Sequence, residues 1–246
     1  MIGPRPVHPA HRGPTAGHAA RRRCAHIVAV CAWSVVVPAK RLSLAKTRLT
    51  PLPAGMTGPP EAAHDRLVLA LLADTVAAAL ASPAVAGVLV VTDDPAAAAE
   101  VTGLGARTVP DEPDAGLNPA LAHGARVTGG AVVAALSSDL PALRPAELTA
   151  ALTAAEARVG WRGRCFVADA QGSGTTLLTA AGTDLSPAFG AGSAQRHAAG
   201  GAVPLTGSWP GLARDVDTPG DLRAALALGV GPRTAALLGG AGHPTG

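Results

Sequence analysis

Tyrosine is absent from this 246-residue chain, and only two phenylalanines and three tryptophans accompany a residue content that is 48% hydrophobic. A core of that composition must close on Ala, Val and Leu. So few aromatic stacking surfaces also count against a single-stranded nucleic-acid binder. Cysteine is scarce as well: Cys24, Cys31 and Cys165 are odd in number and form no Cys-x-x-Cys pair, so neither a disulfide framework nor a zinc site is indicated. A reducing, cytoplasmic setting is expected. No apolar run approaches the roughly 20 residues of a transmembrane helix, so no membrane partner is expected, and no internal repeat is visible.

Acidic residues are missing from the first 60 positions, where nine of the 20 Lys and Arg residues lie; the first acid is Glu61. The formal net charge of +3 therefore hides an acidic body, with eleven basic residues against seventeen acids from position 61 onward. A basic tail, unlike a basic folded face, is weak support for nucleic-acid binding, and no nucleic-acid partner is expected. Residues 1–25 are rich in Pro, Gly, His and Arg without a hydrophobic period, which predicts a disordered extension. The histidines there (His8, His11, His18, with His26 just beyond) read as solvated residues more readily than as metal ligands. Arg21-Arg22-Arg23 ahead of the apolar run from Ile27 to Val37 imitates a secretory signal. That run is β-branched and leads through Pro38 into a basic loop without a small-residue cleavage site, so a strand is expected instead.

From residue 26 to about 238 short apolar runs alternate with helical stretches, the pattern of one α/β domain; 239–246 read as a frayed tail. Expected strands are the run ending at Val37, then Val88–Val91, 107–109, Ala131–Leu136, a run around Cys165–Ala168, and Thr176–Thr179. Expected helices cover roughly 61–81, a stretch carrying Leu121 onward after a turn-rich 110–119, one from Pro145, a short one ending at His197, and one ending at Leu228. Asp93 or Asp94 is placed to cap the helix that follows Val91, and Asp217-Thr218-Pro219 fits an N-cap with proline in the first turn.

In open α/β sheets ligands bind beyond the carboxyl ends of the strands, so the loops there carry the chemistry. Asp139 sits in such a loop, in Ser137-Ser138-Asp139-Leu140-Pro141. In Asp215-Val216-Asp217 the alternation of an extended segment puts two carboxylates on one side, where they repel unless a cation neutralises them. Hard carboxylate oxygens suit Mg²⁺. The only lysines, Lys40 and Lys46, join Arg41 and Arg48 in a basic loop directly after the first strand, able to neutralise a polyphosphate. Gly172-Ser173-Gly174-Thr175-Thr176 and Gly190-Ala191-Gly192-Ser193 are small-residue loops that can offer N–H and hydroxyl groups to an anion. No Gly-x-x-x-x-Gly-Lys-Ser/Thr is present, and the second of these loops lacks the third glycine of a dinucleotide fingerprint.

Together, Val37-Pro38-Ala39-Lys40 with Lys46 and Arg48, Gly116-Leu117-Asn118, Asp139-Leu140-Pro141, Gly190-Ala191-Gly192-Ser193 and Asp215-Val216-Asp217-Thr218-Pro219 resemble, over about residues 33–230, the phospholactate/phosphoenolpyruvate guanylyltransferases of coenzyme F-420 biosynthesis. The resemblance implies a single-domain, Rossmann-like nucleotidyltransferase of glycosyltransferase-A-like architecture, with a mostly parallel sheet covered by helices on both faces. It implies transfer of GMP from GTP to phosphoenolpyruvate, giving enolpyruvyl-diphospho-guanosine and pyrophosphate. By the same resemblance Asp139, Asp215 and Asp217 hold Mg²⁺, and with Lys40 they form the catalytic set. Lys40, Lys46 and Arg48 with Gly116, Leu117 and Asn118 bind GTP, and Thr175, Gly190 and Ser193 bind the acid. A downstream deazaflavin transferase is the protein partner it suggests. The same reaction on 2-phospho-L-lactate or 3-phosphoglycerate, a nucleotidyltransferase charging a molybdopterin or a sugar phosphate, and a non-catalytic nucleotide-binding module stay open as alternatives.

Overall fold

Val35, Val36 and Val37 are all fully buried, as are Ala134, Ala135 and Leu136. Strands with no polar face need cover on both sides, which is the situation of a parallel sheet between helices. The computed structural model describes residues 1–3, 32–39, 49, 51–53, 56, 58–112, 114–160 and 162–239. The expected extension beyond its first three residues, the strand residues before 32, and Lys40, Lys46 and Arg48 lie outside the described residues, as does the tail from 240.

The strands are β1 (Trp33–Pro38), β2 (Val85–Val91), β3 (Arg107–Val109), β4 (Val132–Leu136), β5 (Gly163–Ala168), β6 (Thr175–Ala181) and β7 (Val203–Pro204). The helices are α1 (Pro60–Leu80), α2 (Pro95–Gly103), α3 (Leu117–Thr128), α4 (Pro145–Val159), α5 (Ser193–Ala199), α6 (Pro219–Leu228) and α7 (Pro232–Gly239). The seven strands form one sheet in the order β3-β2-β1-β4-β6-β5-β7. Only β6 runs against its neighbours; the β1–β2, β1–β4, β2–β3 and β5–β7 pairs are parallel. The chain builds outward from β1 to β3 and then returns to lay β4 on the other side of β1. The carboxyl ends of β1 and β4 therefore flank the point where the winding reverses, the place where such sheets bind ligands.

Side chains alternate between two cores. On one face Trp33, Val35 and Val37 pack with Leu72 and Val76 of α1 and Leu148 and Leu152 of α4. On the other, Val36, Val133 and Phe166 pack with Leu121 of α3 and Ala194 of α5. Helix α3 lies so close to the sheet that a Cβ at Gly124 would stand 2.5 Å from Val36 Cγ1 and 2.8 Å from Val91 Cγ2. A third apolar cluster joins Leu49, Leu67, Leu71, Ala142, Val216, Leu222 and Ala225, tying α1 to α6.

Three local expectations change. The 110–119 stretch is not turn throughout, because α3 begins at Leu117 and carries Asn118 and Pro119 in its first turn, where a proline's missing N–H is not needed. Asp217 does not cap α6: Thr218 does, in a reciprocal box in which Thr218 Oγ1 accepts from the Asp221 N–H and Asp221 Oδ2 accepts from the Thr218 N–H. Beyond Leu228 a further helix, α7, is anchored by the buried Asp74, which accepts from the N–H groups of Arg233 (3.0 Å) and Thr234 (2.8 Å). Among the described residues no helix is long and apolar enough to cross a membrane.

Candidate active site

Asp139 follows β4 at the reversal point and is 6% exposed. Its loop is fixed from two sides: the Ser137 N–H donates to the Thr176 carbonyl at 2.9 Å, and the Leu140 N–H donates to Thr75 Oγ1 of α1 at 2.9 Å. The Asp139 carbonyl then accepts from the Val216 N–H at 3.1 Å, which brings the Asp215–Asp217 segment alongside. Val216 is fully buried in the third apolar cluster, while Asp215 and Asp217 are each half-buried. Burial alternates along the segment, the two acids being more open than Val216 between them.

Two further groups hold this segment. Glu147, in the first turn of α4, accepts from the N–H groups of Gly211 (3.2 Å) and Leu212 (2.9 Å), and the Ala170 N–H donates to the Ala213 carbonyl at 2.8 Å. Arg214 Nη1 lies 3.8 Å from Asp221 Oδ1 in the first turn of α6. The backbones of the three acids are thus brought together, but among the described residues no three carboxylates form a ready-made cation cluster.

Among the described residues, Ala39 precedes the basic loop and Leu49 follows it. Ala39 is tied to the end of β2 by its N–H on the Val91 carbonyl at 2.9 Å. Leu49, one position after Arg48, is 1% exposed in the cluster that contains Val216.

Thr175 is the first residue of β6, and Gly190 and Ser193 lie in the loop and first turn that open α5. The Gly172–Gly174 turn that precedes Thr175 is organised by Asp169, whose Oδ1 accepts from the Ser173 N–H (2.8 Å) and Oδ2 from the Gly174 N–H (2.7 Å). A Cβ at Gly174 would stand 2.3 Å from Asp169 Oδ2, so a larger residue would displace the carboxylate that closes this turn. The Ser173 carbonyl in turn accepts from the Ala194 N–H at 3.1 Å, docking α5 on this turn, and the Gly190 carbonyl accepts from the Ser193 N–H at 3.0 Å. Gly190 takes φ +114°, a region side chains disfavour. Arg196 holds this loop from outside, its Nε (3.1 Å) and Nη2 (2.9 Å) both donating to the Ala188 carbonyl.

Gly116, Leu117 and Asn118 open α3, with Gly116 at the N-cap and φ 100°. Asn118 reaches across to the 188–190 loop: its Oδ1 accepts from the Phe189 N–H at 2.7 Å and its Nδ2 donates to the Phe189 carbonyl at 3.2 Å. Both ends of the amide thus hold backbone, so this asparagine joins the 116–118 and 188–190 loops. Asp94 caps α2 through the Ala96 and Ala97 N–H groups, and Asp93 Oδ1 accepts from the Asp111 N–H at 3.1 Å, so both are structural.

Sequence reasoning passed over Asp169, Glu147, Thr75, Asn118's bridging role and His197. Apart from Asn118, none carries a motif; each acts on a residue remote in sequence or on a turn whose closure appears only in three dimensions. A 540 Å³ cavity lined in part by Arg126, Gly130, Val133 and Asp184 adjoins the start of β4, away from the strand ends that carry the acids.

The sequence matches the family described as the MobA-like NTP transferase domain over residues 62–202. A phosphoenolpyruvate guanylyltransferase of Geodermatophilus obscurus is 84% identical over 220 residues, covering 89% of this chain and 100% of the relative. One from Salinispora arenicola is 55% identical, over 87% of this chain and 97% of its own length. Among solved structures, a nucleotidyl transferase from Methanothermobacter thermautotroptrophicus superimposes with a TM-score of 0.56 at 20% identity, covering 80% of this chain and 97% of the other, a likeness of fold.

Proposed function

The chain belongs to the phosphoenolpyruvate guanylyltransferase family, and from that membership we propose that it transfers GMP from GTP to the phosphate of phosphoenolpyruvate. A phosphate oxygen of the acid attacks the α-phosphorus, the bond to the β-phosphate oxygen breaks, and pyrophosphate leaves. The product is enolpyruvyl-diphospho-guanosine, an activated acid suited to a later transfer onto a deazaflavin in coenzyme F-420 biosynthesis, with the enzyme of that step as a protein partner.

The observation that supports this reading is the Val216–Asp139 backbone bond, which brings the backbone of the Asp215–Asp217 segment alongside Asp139 where the sheet winding reverses. Hard oxygen donors of this kind fit Mg²⁺, which keeps several waters and takes substrate phosphate oxygens as its other ligands, so a ready-made protein cage is not required. When bound, Mg²⁺ supplies neutralisation of phosphate charge. The chain's own task is alignment. The acceptor is already an anion near neutral pH, so no general base is needed, and bringing two anionic groups in line is where the barrier is lowered. Lys40, Lys46 and Arg48 neutralise the triphosphate. Gly116 and Leu117 meet the guanine through backbone, and Asn118 sets the spacing between the base and the acid. Thr175, Gly190 and Ser193 receive the phosphorylated acid.

Pyrophosphate release should depend on GTP, Mg²⁺ and phosphoenolpyruvate together, with ATP and CTP as poor donors. Faster release with 2-phospho-L-lactate or 3-phosphoglycerate would replace the acceptor and keep the class. Release with no acid tested would remove the reaction. An Asp215→Asn variant should keep GTP affinity within about threefold and lose about a hundredfold or more in kcat. Undiminished turnover in that variant would withdraw Asp215 from the site, and the pattern of kept affinity with lost turnover separates an enzyme from a nucleotide-binding module.

A further inference from the structure

His197 closes the acid-side loop yet has no part in the chemistry above. It is 3% exposed, with its ring 5.1 Å from Phe189 in an edge-to-face contact and 6.0 Å from Phe166. Both nitrogens are committed. Nε2 lies 2.9 Å from the Ala188 amide nitrogen, and Nδ1 lies 2.9 Å from Thr175 Oγ1.

A backbone N–H can only donate, so Nε2 is the acceptor of that pair, and a neutral imidazole then carries its single proton on Nδ1. The ring is neutral near pH 7 because burial, with the Arg196 and Arg164 guanidinium groups nearby, lowers its pKa to about 4. Nδ1–H therefore donates to Thr175 Oγ1. The hydroxyl proton of Thr175 cannot point at the ring and is left to be donated elsewhere. The opposite tautomer would reverse this: Thr175 would donate to the ring and turn only lone pairs outward, which repel an anion.

We propose that His197 is a positioning residue for the phosphorylated acid, holding the Thr175 hydroxyl as a hydrogen-bond donor to an anionic substrate oxygen while its other nitrogen pins Ala188 beside Gly190. The inference rests on the assignment of Thr175 to the acid site. It accounts for an imidazole set among two phenylalanines and a backbone amide, where a simple core residue would serve packing equally well. It also makes the acid pocket depend on one proton's place on a ring.

The test combines steady-state kinetics with the ring's own spectrum. His197→Leu should raise the KM for phosphoenolpyruvate about tenfold, the loss of one hydrogen bond to a charged group, while the KM for GTP changes less than twofold. His197→Asn, whose amide can still donate toward Thr175, should recover most of that loss. Thr175→Val should match His197→Leu, and the double variant should be no worse than Thr175→Val alone. Effects that add in full, equal rises in both KM values, or an unchanged KM for the acid would each overturn the proposal. Nitrogen-15 NMR of the wild-type imidazole between pH 6 and 8 should report the Nδ1–H tautomer, and a charged ring or an Nε2–H ring would overturn it even if no His197 variant folds. A wild-type protein inactive with phosphoenolpyruvate would sink the reaction proposed above, and the imidazole spectrum would still decide the His197–Thr175 link by itself.

Discussion

Val216 sends its side chain into an apolar cluster and its N–H to the Asp139 carbonyl, so one residue sets the place of two acids. His197 does similar work on the other side, and its burial has a thermodynamic signature. In the unfolded chain its pKa is the ordinary 6.5, and in the fold about 4, so between those values the unfolded chain binds more protons. Its contribution to stability is fully present above pH 6.5 and is lost as pH falls through 4, by up to about 3 kcal/mol. Urea unfolding at pH 7 and pH 4.5 should show wild type losing about 2 kcal/mol more than His197→Asn over that interval. Equal losses would mean that the imidazole is not held neutral in the fold. At this scale the acids stand out as candidates by their alternation and by their place after an apolar strand. Asn118 was not readable as a bridge: its partner Phe189 is 71 positions away, and nothing local marks the pair.

The elements around the site are held by caps as much as by packing. Thr218 and Asp221 form the box that starts α6, and Asp217 immediately precedes it, so the cap sets the chain direction at which Asp217 leaves its segment. Thr218→Ala should cost about 1 kcal/mol in stability and lower kcat more than it raises the KM for GTP. A thermal melt and initial-rate kinetics check this, and an unaltered kcat would mean that Asp217 takes its position without the cap. Expecting Asp217 itself as the N-cap was one residue off. Both Asp and Thr are good caps, and the choice between them turned on the Asp221 side chain reaching back to the Thr218 N–H, a reciprocity that favours Thr218. Helix α3 was expected to start later because Asn118-Pro119 resembles a turn, yet proline in the first turn is compatible with a helix. Helix α7 escaped the reading because its anchor is Asp74, about 160 positions earlier.

For the molecule as a whole, nucleotide binding should be visible as stability, since a ligand at a hundred times its Kd adds about 2.7 kcal/mol. In a domain of this size that corresponds to a rise in Tm of about 5–10 °C. GTP with Mg²⁺ should produce it and GTP with a chelator should produce much less; equal shifts would remove the metal from nucleotide binding. The alternation of β-branched runs with helical stretches was enough to specify an α/β sheet, because strands apolar on both faces need helices on both sides. Loop motifs were enough to indicate a nucleotidyltransferase through the family they resemble, whereas the paired acids and the basic loop taken alone fit helix caps and a solvated surface loop as well. Pairing order was beyond any local signal. That β4 lies beside β1, and that β6 runs antiparallel between β4 and β5, depends on which apolar faces fit together across the chain. Only that order sets Asp139 beside Val216 and places Thr175 against His197, since hydrogen bonds between residues remote in sequence exist only after the sheet and its helices have closed.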